Sequence, residues 1–153
     1  MNKNQPSMMI TGDLDVTKCT CASLRKTTRV VTQYFDNALK PAGLTPGQFT
    51  VLAALNRLGP RRQTQLAEIL AMDRTTLIRN LRPLEKMGLV VTNTTGKRGA
   101  KTLTLSVDGA RALEQALPHW QKAQSQIIKA LGPEGWGGLI TGLASAVQAV
   151  QEG

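Results

Sequence analysis

The sequence is poor in aromatic residues. It holds two Trp, two Phe and one Tyr in 153 positions, and none of them falls between residues 57 and 101. It also has no apolar run of about 18 residues, so no membrane-spanning segment is expected. The single histidine, His119, has no second His, carboxylate pair or serine elbow beside it. Catalytic acid–base or nucleophilic apparatus is therefore missing, and an enzyme is not expected. The only cysteines are Cys19 and Cys21. With His119 they supply only three soft ligands, so neither a metal site nor a cofactor is expected. The opening MNKNQPSMMITGDLD has no apolar run leading to a small-residue cleavage site. Cytoplasmic residence and a frayed tail over 1–16 are the expectation.

Positive charge is present, and it is concentrated. The net charge is +9. Residues 57–101 carry ten basic side chains (Arg57, Arg61, Arg62, Arg74, Arg79, Arg82, Lys86, Lys97, Arg98, Lys101) against Glu68, Asp73 and Glu85. Less than a third of the chain thus holds +7 of the total, which is the electrostatic footprint of a polyanion partner. A membrane surface attracts the same charge, but that reading needs a basic helix with aromatic anchors, and this stretch has none.

Within that stretch, TQLAEILAMDRTTLIRNLRPLEKMGLV has the pattern of two short helices. Leu66, Ala67, Ile69 and Leu70 mark the first, and Ala71–Met72–Asp73 breaks it. Leu77, Leu81 and Leu84 fall on one face of the second. Asp73 stands at its N-cap position and Gly88 at its stop. Such a pair is a helix-turn-helix, whose second helix offers side chains near its N-terminus to DNA base edges. Here those are Arg74, Thr75, Thr76, Arg79 and Asn80, with Arg62 and Gln63 on the approach. Arginine suits guanine and asparagine adenine. Pro83 inside the second helix predicts a bend after Arg82.

The flanking chain completes the pattern. A first helix is expected over 17–41, with Leu24, Thr28, Val31, Phe35 and Leu39 on one stripe and Val30, Tyr34 and Leu44 on another flank. That is more apolar surface than one partner helix covers, and it points to a subunit interface. Thr45 and Pro46 open a second helix ending at Gly59–Pro60. Leu89–Thr92 and Thr102–Leu105 are β-prone around a basic, Gly-containing loop, which predicts a hairpin. Placed after a recognition helix, that hairpin is a wing, with Lys97 and Arg98 at a tip that reaches phosphate or the minor groove. From Ser106 a long helix is expected with Ala110, Leu113, Leu117, Trp120, Ile127 and Leu131 as its stripe, kinked or opened at Pro118. Gly132–Pro133 breaks it, and a last helix carries Trp136, Leu139, Ile140, Leu143, Val147 and Val150. The fold class is mainly α with a small β-hairpin wing: a winged lobe over 44–105, and dimerisation helices over 17–43 and 106–150.

The order of elements, together with LTPGQFTVLAAL, MDRTTLIRNLRPLEKMGLV and LTLSVDGARAL, resembles the MarR family of bacterial transcription regulators over residues 17–150. The resemblance implies a cytoplasmic homodimer in which the first, fifth and sixth helices interlock. Each protomer then presents a winged helix to half of a pseudo-palindromic operator in double-stranded DNA. Repression relieved by a small ligand is the activity it implies. In the wing, Lys97 stands where the family commonly carries Asp, while Arg98 matches an Arg.

Two effector readings stay open. Tyr34, Phe35, Phe49 and Trp120 are candidates for lining a small-molecule pocket, and equally for core. The resemblance also implies a redox alternative, because peroxide-sensing members carry a reactive cysteine near the start of the first helix. Cys21 lies close to that place, with Cys19 beside it. The activating tyrosines of those members are replaced here by Arg25, Phe35 and Pro46. A winged helix that binds proteins is a further alternative, against which the charge concentration argues.

Overall fold

The computed structural model describes residues 15–95 and 99–152. Lys97 and Arg98 lie outside the described residues, as does most of the expected 1–16 tail. Two compact units divide the chain, Met1–Gln33 and Tyr34–Gly153. The division falls inside the first helix and not at either of its ends.

In the first unit, Asp15 organises the approach to helix α1 (Thr20–Leu39). Its carboxylate accepts from the Thr17 backbone N–H at 3.0 Å and from the Thr17 hydroxyl, and pairs with Lys18 at 3.5 Å. These interactions, the Thr17 hydroxyl first, hold the Asp15 carboxyl below its ordinary pKa. Cys19 precedes α1, and its carbonyl accepts the Ser23 N–H at 2.9 Å. The helix therefore starts later than the sequence suggests, between the two cysteines.

The second unit carries the core. A short 3-10 turn (Lys40–Ala42) leads to α2 (Pro46–Leu58). The Thr45 hydroxyl accepts from Gln48 N–H, and Gln48 Oε1 accepts from Thr45 N–H at 3.0 Å. This reciprocal cap satisfies two donors of the helix end and explains why the polar Gln48 is buried. Strand β1 (Arg61–Arg62), α3 (Gln63–Ile69), α4 (Arg74–Lys86), β2 (Val90–Thr95) and β3 (Ala100–Leu105) follow.

The antiparallel sheet has the order β1-β3-β2, with Arg61 opposite Leu103 and Val90 opposite Leu105. The hairpin strands are longer than expected, taking in Asn93–Thr95 and Ala100–Lys101. Strand β1 was not foreseen, because a two-residue Arg–Arg strand has no apolar alternation to reveal it. Leu52, Leu55, Leu66, Leu77, Leu84 and Leu103 are essentially inaccessible to solvent and join α2, α3, α4 and the sheet in one apolar cluster.

The last element, α5 (Val107–Gln151), corrects two expectations. It stays helical through Pro118, where the proline lies on the solvent side. The break comes at Gly132 (φ 71°, ψ 161°), as the Gly–Pro pair implies. The buried stripe also differs from the expected one. Gly109, Leu113, Ala116 and Ala123 face the core, whereas Leu117 and Leu131 are 39% and 46% exposed. Small residues let α5 lie close to its neighbours, while Leu117 and Leu131 point outward.

Gly109 shows how close. A Cβ there would stand 2.1 Å from the Leu89 carbonyl oxygen. Ser106 ties the same place together: its N–H donates to Leu89 O, its hydroxyl donates to Gly88 O at 2.7 Å, and its Oγ accepts from Gly109 N–H.

Candidate nucleic-acid interface

The turn between α3 and α4 is closed by backbone bonds from Ala71 N–H to Glu68 O and from Met72 N–H to Ala67 O. Ala71 pays for the tightness with φ 48°, a left-handed conformation that costs an L-residue about 1–2 kcal/mol. Asp73 then caps α4. Its carboxylate accepts from Thr76 N–H at 2.8 Å and from the Thr76 hydroxyl at 2.7 Å. The carboxyl is held below its ordinary pKa by the Thr76 hydroxyl first, then by the backbone N–H groups and the charge of Arg79.

Leu77, Leu81 and Leu84 bury one face of α4. On the opposite face Thr75, Arg79, Arg82 and Lys86 follow at intervals of four, three and four residues, all exposed. Helix continues across Pro83 to Lys86, with Met87 N–H donating to Pro83 O. The row is therefore longer than the expected bend after Arg82 allowed. Arg74 is exposed at the first position of the helix.

Two residues expected on this surface are turned elsewhere. Asn80 is half-buried: its Nδ2 donates to Thr76 O at 3.0 Å, and its Oδ1 lies where a Gly47 Cβ would meet it at 2.5 Å. It faces α2 because it stands one step round from the Leu77–Leu81–Leu84 stripe. Thr76 is also half-buried, with its hydroxyl committed to the cap. Arg62 is exposed on β1, and Gln63 opens α3 half-buried. Arg82, Lys86 and Lys101 were counted in the charge run but assigned no role. Following the outward stripe on from Thr75 and Arg79 would have found the first, and extending it past Pro83 the second.

Among the described residues the ion pairs are Lys18–Asp15 and Arg111–Asp108. Arg62, Arg74, Arg79, Arg82, Lys86 and Lys101 thus have no carboxylate within ion-pair distance among those residues. An open groove of about 780 Å³ runs beside the helix-turn-helix, lined by Arg62, Ala67, Met72, Arg74, Gly99 and Lys101 among others. Glu85 accepts a hydrogen bond from the Thr92 hydroxyl and so ties α4 to β2.

Tyr34, Phe35, Phe49 and Trp120 form two separate pairs. Tyr34 meets Phe35 edge-on with centroids 5.8 Å apart, and its hydroxyl donates to Gln126 Oε1. Phe49 is a core residue stacked on Trp120 at 5.8 Å and 16°. A cleft of about 250 Å³ beside α2 and α5 is lined by Phe49 but by none of the other three. Cys19 and Cys21 are both exposed thiols. Among the described residues no group of three or more His, Cys, Asp or Glu is placed to hold a metal ion, and no helix is long and apolar enough to cross a membrane.

A helix-turn-helix followed by a hairpin whose strands close a three-stranded sheet with β1 is a winged helix. The chain carries a MarR-family domain, whose model matches residues 42–99. Helix-turn-helix transcriptional regulators of Bacillus cereus and Bacillus thuringiensis are 35% identical to it over 96 residues, 63% of this chain and 64% of theirs. The chain thus spans less than two thirds of these curated relatives. The Mycobacterium tuberculosis transcriptional regulator MosR, solved in complex with DNA, is 31% identical, with 88% of this chain and 98% of that one covered and a TM-score of 0.79. The transcriptional repressor CouR, solved with p-coumaroyl-CoA, is 25% identical, with 90% and 97% covered and a TM-score of 0.75.

Proposed function

We propose that this protein is a homodimeric, sequence-specific DNA-binding transcriptional regulator, a repressor released by a small ligand. The observation that carries the reading is the exposed row Thr75–Arg79–Arg82–Lys86, with three cations free of ion pairs among the described residues. Such a helix face suits the major groove. MosR, similar over most of its length, was solved on DNA.

Dimerisation is supported by α5 beyond Gly132. Leu139, Ile140, Leu143, Val147 and Val150 are all exposed, an apolar surface larger than scattered side chains account for. A second copy covering it brings two recognition helices to successive major grooves, about 34 Å apart. Ligand release is supported by CouR and its bound p-coumaroyl-CoA. The ligand must favour the conformer that does not fit DNA. A second reading, redox release through Cys21, is favoured by the exposure of both thiols at the start of α1.

The test is duplex-DNA binding by fluorescence anisotropy from low to high salt. A log–log slope of several units supports the reading. A flat slope, with binding to a protein partner retained, overturns it in favour of a protein-interaction module.

A further inference from the structure

We infer that the outward row of α4 is a guanine reader: each half-site bound by this chain carries guanine opposite Arg79 and Arg82. This rests on the DNA-binding reading above and adds which base edge is recognised.

The inference comes from what the row offers and what it withholds. Arginine and lysine are donors only. In the major groove guanine presents two acceptors, N7 and O6, and no donor, whereas cytosine and adenine each present an amino donor. A hydroxyl such as that of Thr75 donates and accepts alike and does not discriminate, so specific reading of those amino groups takes a carboxylate or an amide. Helix α4 and its cap contain three such side chains, and each is hydrogen-bonded within the chain. Asp73 accepts from Thr76. Asn80 is packed against Gly47 and bonded to Thr76 O. Glu85 accepts from Thr92 of β2.

What remains exposed on the row is Thr75, Arg79, Arg82 and Lys86. Arg79 and Arg82 are three residues apart, about 4.5 Å along the helix axis, against about 3.4 Å per base step. Two guanines one or two steps apart match that spacing. Lys86, a further turn along, is a point charge suited to phosphate.

The experiment selects binders from a pool of duplexes randomised over about two helical turns, then sequences them. Guanine at two positions in each half-site is the expected result. Replacing either guanine by 7-deazaguanine, which lacks the N7 acceptor, should weaken binding about 5- to 150-fold. Arg79→Lys and Arg82→Lys should each lose the preference at one position and keep the salt slope, whereas Asn80→Ala should keep the preference at both. A selected motif without guanine overturns the inference. So does loss of base preference in Asn80→Ala with none in the arginine variants. Absence of any salt-dependent duplex binding would instead defeat the DNA-binding reading itself.

Discussion

Asn80 lies directly over Gly47, so close that a Cβ on Gly47 would stand 2.5 Å from Asn80 Oδ1. The recognition helix and the first turn of α2 meet there without room for a methyl group. Gly47→Ala gains helix propensity, at most about 1 kcal/mol, but in the wild type it must displace the amide. In an Asn80→Ala background the displacement vanishes. A double-mutant cycle by urea denaturation should therefore show coupling of about 0.5 kcal/mol or more. Additive effects would mean the two residues do not press on each other.

Asp73 makes stability depend on pH in a defined direction. Its pKa is depressed in the folded chain, chiefly by the Thr76 hydroxyl and then by the Thr76 N–H. Its contribution is therefore full above the unfolded carboxylate value, about 3.9, and is lost as pH falls through the lower folded value. The stability gap between wild type and Asp73→Asn should be open at neutral pH and narrow as pH drops below about 4. A gap of constant size down to acid pH would show that the carboxylate charge contributes nothing.

Ala71 holds a left-handed conformation at the turn between α3 and α4. Glycine adopts it without strain but loses more entropy on folding. Relief of about 1–2 kcal/mol less that cost should leave Ala71→Gly more stable by up to about 1 kcal/mol. Ala71→Val should move the urea midpoint the other way.

Val147 is 53% exposed on the apolar arm beyond Gly132. Sedimentation at micromolar concentration should give two copies for wild type and one for Val147→Asp, because the change places an unpaired charge in the interface. A wild-type monomer would remove the two-half-site geometry with it.

The effector question turns on Cys21. With a small ligand as effector, operator binding should survive organic hydroperoxide in both wild type and Cys21→Ser. Release of wild type alone, reversed by a thiol reductant, would make Cys21 the sensor.

Sequence periodicity made the helix-turn-helix legible because Leu77, Leu81 and Leu84 repeat at helical spacing and Asp73 caps where a cap belongs. The hairpin was legible from its β-prone flanks, though not its length, since Asn93–Thr95 carry no apolar signal. On α5 periodicity misled. The large residues Leu117 and Leu131 were assigned inward, yet in the folded chain Ala116 and Ala123 are the buried ones. A single sequence cannot separate a face meant for the chain's own core from one left to another surface. Asn80 illustrates a related point: its chemistry suits adenine, but its position beside the buried stripe turns it toward Gly47.

The joint at Gly109 has a mechanical consequence. With the Leu89 carbonyl filling the space a side chain would need, and Ser106 bonded to both Gly88 and Leu89, the root of the wing and the first turn of α5 are riveted together. Gly88 also follows the C-cap of α4, and its N–H donates to Glu85 O. A tilt of the long helix would therefore load the hairpin and the tail of α4 together, like a crank on a common shaft. Any ligand that displaced α5 would thereby act on both.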